Sequence, residues 1–208
     1  MDTVCPKNET QAQIEAAMGA DLGGVFYALY NEVVWLHAIW QEYRVLYGTN
    51  EEQLQVANRA AGFFFRIVQD ELWDAVLLRI ARLTDPPKSA GVANLTLRVL
   101  PSLVGDEALS IEVTRLVDVC IKKAAFAREH RNKRIAHSDL FHATNPVPLS
   151  GISRRHVEEM LEALRKVMNV LDVRYRETTV MYRDFISTDG AQRLLYVLKR
   201  AESGEVAR

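Results

Sequence analysis

Between Asp21 and Tyr47 the residues Phe26, Leu29, Val33, Leu36, Trp40, Tyr43 and Tyr47 recur at alternating steps of three and four. That rhythm gathers them on one side of a helix. It returns in Leu72, Val76, Ile80 and Leu83, then in Leu109, Val113, Leu116, Cys120, Ala124 and Ala127. A fourth stretch repeats it in Val157, Leu161, Leu164, Met168, Leu171 and Tyr175. No strand alternation stands out. Four long helices with one apolar face each can hide those faces only against one another. The expectation is an all-α chain, an up-and-down four-helix bundle with long helices near 21–47, 50–84, 107–137 and 154–182. Short additional helices are expected at the termini and in the 85–105 connection.

Punctuation residues divide these stretches. Gly48 can supply a left-handed helix end, with Thr49 or Asn50 capping the next helix and Glu51 and Glu52 suited to its first turn. Asp85-Pro86-Pro87 stops the second helix, and a short helix is expected near Leu95–Leu100. Asp106 and Ser153 are the expected caps of the third and fourth helices. The stretch 138–152 carries Pro146, Pro148 and Gly151 and reads as a loop. A last short helix should follow Asp189 through Leu194, Leu195 and Leu198. The expected organisation is an N-terminal segment, 1–19, and a single helical domain, 20–208.

At 208 residues the chain can bury a core without staples. Its two cysteines, Cys5 and Cys120, form no CxxC pair and fit a reduced, cytoplasmic setting better than a disulfide scaffold. The start, Met-Asp-Thr-Val-Cys-Pro, has no basic or apolar leader region, and no run of eighteen apolar residues exists. Neither a signal peptide nor a membrane span is expected.

Charge is the uneven quantity. The formal net charge is only −1. Yet residues 1–120 hold nine Lys and Arg against sixteen Asp and Glu, and residues 121–208 hold seventeen against eleven. Residues 121–137 alone carry six bases and one acid. Most charge runs are only a solvated helix face, but a local basic patch on a near-neutral chain also suits a specific polyanion.

The centre of that patch is Arg128-Glu-His-Arg-Asn-Lys-Arg-Ile-Ala-His-Ser-Asp139. Arg131 continues the inward stripe that ends in the small residues Ala124 and Ala127. A guanidinium there is costly unless it is paired or the stripe opens into a cleft. His137 lies six residues further, which on a regular helix leaves the two side chains about 120° apart. Three arrangements would still bring them to one phosphate. The helix ends or distorts before His137, Arg131 reaches across, or two subunits each give half a site. His130, Arg134 and His137, by contrast, share one face. Histidine can remove and return protons near neutral pH, and Arg offers a planar fork to phosphate oxygens. Asn132 can bond the phosphate or orient the His. An isolated Arg and His near a helix end more often cap carbonyls and complement the helix dipole.

The run Arg131-Asn-Lys-Arg-Ile-Ala-His137-Ser-Asp139, late in a helix of an all-helical bundle, resembles the signature of the HEPN superfamily (higher eukaryote and prokaryote nucleotide-binding). That signature is an Arg, usually a polar residue, and a His after a gap of four to six. The segments Arg79-Ile-Ala-Arg-Leu-Thr-Asp85 and Asn94-Leu-Thr-Leu, with the Ala-His-Ser-Asp ending, look most like an abortive-infection branch. The resemblance covers roughly residues 20–185. It implies a metal-independent endoribonuclease, similar to toxins and antiviral effectors, that needs no cofactor and dimerises so that two motifs face one cleft. By the same resemblance Arg131 holds the scissile phosphate, His137 is the acid/base and Asn132 assists. Lys122, Lys123, Arg128, His130, Lys133 and Arg134 are the candidate RNA contacts. RNA, a second copy of the chain and an antitoxin or regulatory protein are the expected partners. Many superfamily members are silent, so the alternative is a non-catalytic helical module that binds RNA, nucleotide or protein through the same cleft. A purely structural bundle is a third.

Other residues invite simpler readings. One ring of Phe63-Phe64-Phe65 should face away from the core, under another helix or in a dimer contact. Trp35, Trp40 and Trp73 read as packing residues, and Arg79 and Arg82 as partners of Asp70, Glu71 or Asp74. His156 reads as an exposed first-turn residue. His37 and His142 lack companions at metal-ligand spacing, so no metal site is expected. No P-loop, GxGxxG, nucleophile elbow or HExxH occurs.

Overall fold

A computed structural model of the chain describes residues 8–48, 51–132, 152–183 and 189–204. Among these, eight α-helices run in the order α1 (Glu9–Met18), α2 (Ala20–Tyr47), α3 (Glu51–Leu83), α4 (Leu100–Leu103), α5 (Glu107–Lys123), α6 (Ala125–His130), α7 (Arg154–Arg176) and α8 (Ala191–Glu202). The fold is the expected all-α bundle. Its stripes are buried as their spacing requires. Phe26, Leu29, Val33, Leu36, Trp40 and Tyr43 of α2 meet Val76, Leu77, Ile80 and Leu83 of α3. Val113, Leu116 and Cys120 of α5 and Val157, Leu161, Leu164, Met168 and Leu171 of α7 close the same core. Trp40, Tyr43 and Trp73 form a ring cluster with centroids 5.3–6.1 Å apart.

The helix α1 crosses α2 closely and adds Ile14 and Met18 to the core. Gly23 permits the approach, since a Cβ there would stand 2.6 Å from Glu15 Cα. Asp106 caps α5 by accepting from the Leu109 N–H at 3.0 Å. Ser153 begins α7, where its backbone N–H donates to Nδ1 of the exposed His156.

Several boundaries differ from the sequence reading. The expected helix 107–137 breaks at Ala124, whose ψ of 0° ends α5. The piece before the break packs on α7 and the piece after it on α3. One straight helix could not serve both neighbours. The expected helix 154–182 stops at Arg176, with Glu177 in the left-handed region at φ 50°. Leaving the helix there lets Tyr182 fold back into the core beside Tyr30 and His37. Gly48 ends α2 in right-handed geometry, at φ −81°, not in the left-handed cap expected of it. The connection after α3 holds a small antiparallel hairpin, β1 (Lys88–Ser89) with β2 (Val92–Ala93). Two residues per strand are too few to leave an alternation. Its turn is legible only in the backbone, where Ala90 and Gly91 both take positive φ, the twist that two-residue hairpins favour.

Within α3, Ala61 leaves helical geometry at φ −165°, ψ 66° and kinks the element beside Gly62. Residues on both sides of the kink join α8 and the end of α2 in a smaller cluster of Leu46, Val56, Ala57, Phe65, Ala191 and Leu195. Of the three phenylalanines, Phe65 is buried here, whereas Phe63 and Phe64 are exposed and lie under no helix among the described residues. Trp35, read as a packing residue, is also exposed. Arg79 pairs with Glu32 of α2 at 2.7 Å, not with the acids of its own helix.

Candidate functional site

The C-terminal end of α3 is fastened by side chains before it meets α6. Thr84 donates its hydroxyl to the carbonyls of Ile80 and Ala81. Thr96, fully buried, places its hydroxyl on the carbonyls of Leu83 and Asp85, at 3.0 and 2.9 Å. Asn94 ties the hairpin by donating to the Pro86 carbonyl at 2.8 Å and to Ser89 Oγ at 2.7 Å. These bonds hold Asp85 at a fixed place just beyond the helix.

Arg131 arrives from the other side. At Arg131–Asn132 the chain widens from an α- to a π-type turn. Such turns recur at functional sites because they re-aim a side chain. One terminal nitrogen of Arg131, Nη1, donates to both carboxylate oxygens of Asp85, at 2.7 and 2.6 Å. Its Nε donates to Asn132 Oδ1 at 3.1 Å. The two side chains of the pair are 21% and 18% exposed. Arg131 is therefore neither solvated nor sealed. Its Nη2 takes no partner among the described residues.

The neighbouring candidates divide. Arg128 spends its guanidinium inside the protein, donating to Thr84 Oγ1 at 2.9 Å and to the Ile121 carbonyl at 2.7 Å. Desolvation at this half-buried place lowers its pKa from the usual value. His130 is buried and turned toward α3, with Nε2 3.3 Å from Asp74 Oδ1. Its other ring nitrogen has no partner among the described residues. Lys123 pairs with Glu159 at 3.0 Å, and with Lys122, Phe126 and His156 it lines a separate hollow that does not include Arg131. Asn132 is exposed beside Arg131. Lys133, Arg134 and His137 lie outside the described residues.

The sequence model of the HEPN AbiU2 family matches residues 19–194, with the Arg131–His137 motif inside the match. The chain belongs to the AbiU2 family of the HEPN superfamily. No curated protein and no solved structure matches it. Family membership and helical fold agree with the resemblance read from the motif. Asp85 is the residue that sequence reasoning missed, since it entered there only as the stop of the second helix and the end of a quoted segment. It stands 46 positions before Arg131, and the signal that could have marked it was its place in the quoted segment ending Leu-Thr-Asp85. Among the described residues of this AbiU2 chain, no helix is long and apolar enough to cross a membrane.

A half-buried guanidinium anchored on a carboxylate can do two things. It can present fixed donors to an approaching phosphate, since the anchor removes the entropy of a loose side chain. It can equally stay closed on its carboxylate as a structural clasp between α3 and the chain after α6. A nuclease or defence-type module of the HEPN kind needs the first; the geometry serves both.

Proposed function

We propose that this AbiU2-family protein is a metal-independent endoribonuclease of a defence or toxin system, acting as a homodimer. The observation that carries the reading is the half-buried Arg131, anchored on Asp85 with Asn132 beside it. In this reading Arg131 binds the scissile phosphate and stabilises the charge that builds on it. His137 takes the proton from the 2′-hydroxyl or returns one to the 5′-oxygen, so the product carries a 2′,3′-cyclic phosphate. Asn132 steadies the guanidinium through its side-chain oxygen. Two copies bring their motifs to one cleft, and an antitoxin or regulatory protein would act by covering it.

The decisive assay incubates wild type and His137→Ala with structured and single-stranded RNA in excess EDTA. Wild type should cut and leave cyclic ends, and the variant should bind without cutting. If wild type cuts nothing across many RNAs, or both cut equally, the reading fails.

One observation favours a second reading. Asp85 already neutralises Arg131, as a clasp would in a non-catalytic module. In that case RNA binding should be weak in wild type, and neither Arg131→Ala nor His137→Ala should alter any RNA product.

A further inference from the structure

A different part of the molecule gathers unbalanced positive charge. On α7, Glu162, Arg165, Lys166 and Asn169 follow at helical spacing and face one side. After the helix ends, the chain returns over that side. Asn169 clamps it, accepting from the Val180 N–H at 2.9 Å and donating to the Val180 carbonyl at 3.2 Å. The clamp sets Met181 outward, Tyr182 inward and Arg183 back over α7. Between helix and returning strap lies a cavity of about 360 Å³.

Among the described residues four charged side chains line this cavity, and one of them is an acid. Glu162 lies 2.7 Å from Arg165, 3.4 Å from Lys166 and 3.5 Å from Arg183. One carboxylate cannot balance three cations, so the described residues of the wall carry a net charge of +2. The best buried cation, Arg165, is 12% exposed. Its other terminal nitrogen donates to Nε2 of His37 at 3.3 Å. The His37 Nδ1–H donates to the Val33 carbonyl at 2.8 Å, which leaves Nε2 as the acceptor. Arg165 is thus fixed by a neutral imidazole that takes none of its charge. Val180 and Met181 supply an apolar wall beside the cations, and Met181 is exposed without a covering partner among the described residues.

We propose that this cavity is a binding site for a phosphate monoester, held by Arg165, Lys166 and Arg183. The charges match: a monoester carries about −1.5 to −2 near pH 7, against the +2 of the wall. Its three terminal oxygens suit two guanidinium groups and an ammonium. The volume lies at the small end of ligand pockets, and the Met181–Val180 wall can take the organic body that bears the phosphate. The monoester can come from a free nucleotide or from the 5′ end of an RNA. The site shares no lining residue with Arg131, and it stands whether or not the chain cleaves RNA.

Titration calorimetry at low ionic strength tests it with inorganic phosphate, a nucleoside monophosphate, and one RNA oligomer bearing either a 5′-phosphate or a 5′-hydroxyl. Lys166 and Arg183 are 61% and 60% exposed, so Lys166→Gln with Arg183→Gln should leave the fold and its melting intact. Wild type should bind inorganic phosphate saturably, and the double variant should bind it at least about tenfold more weakly. Glu162→Gln, which removes the competing charge, should tighten binding. A preference for the 5′-phosphorylated over the 5′-hydroxyl oligomer assigns the ligand to an RNA end. A nucleoside monophosphate that outbinds both assigns it to a free nucleotide. No saturable phosphate binding at millimolar concentration, equal binding by the double variant, or equal binding of the two oligomers with no response to the nucleotide overturns the proposal.

Discussion

Arg131 and Arg165 are both largely shielded arginines, yet they sit in opposite electrostatic settings. Among the described residues Arg131 forms a one-to-one ion pair with Asp85, and Arg128 lies within electrostatic reach of both. Arg165 shares Glu162 with Lys166 and Arg183 and leans on an uncharged histidine. The first is preset but occupied: an incoming phosphate must compete with Asp85. The second is preset and in surplus. Burial alone therefore does not say which arginine binds anions. How many cations share each carboxylate in direct ion pairs is what separates them.

The largest expected effect belongs to the Arg131 site. If the preset arginine serves cleavage, His137→Ala should lower the cleavage rate on the order of 10²–10⁴-fold while RNA affinity changes little, read from single-turnover kinetics. A drop in affinity alone would make the site a binding surface and erase the functional contrast.

The next effect belongs to the support of Arg165. His37 is held neutral, its pKa lowered from 6.5 to about 4, chiefly by burial. Between these values the unfolded chain takes up a proton that the folded one refuses. Stability should therefore fall as pH drops from about 6.5 toward 4, and this contribution should be absent above that window. The shift corresponds to about 3 kcal/mol. Urea melts at the two ends of the window should show it in wild type and a flatter profile in His37→Gln. An unchanged profile would mean that burial does not hold His37 neutral.

Asp85→Asn probes the occupied arginine directly. Removing one partner of a shielded pair should cost on the order of 1–3 kcal/mol. It should also tighten RNA binding, because the competing charge is gone, and lower the cleavage rate, because the guanidinium is no longer fixed. Wild-type rate with weaker affinity would reverse the role assigned to Asp85.

The smallest effect is expected at Lys122, exposed at the end of α5 and away from both arginines. Lys122→Gln should weaken RNA binding only a few-fold and reduce its salt dependence by about one phosphate contact. A loss as large as that of Arg131→Ala would move the RNA path toward the hollow beside His156.

The stripes of α2, α5 and α7 were legible as sequence because helix burial leaves a periodic trace, and Phe26, Val113 and Leu164 lie where their spacing puts them. The motif that gives the family was equally local, a short run that needs no folding to be read. Asp85 was not legible as Arg131's partner, since nothing in a linear pattern says which of several nearby acids will face it. That choice fell to Thr96 and Thr84, which fix the end of α3, and to the break at Ala124, which swings α6 onto it. The surplus at Glu162 was hidden for the same reason. Arg183 joins it only because Asn169 folds the chain back. Periodicity records what each helix buries. Which charges meet depends on where chain ends turn, and only tertiary packing decides that.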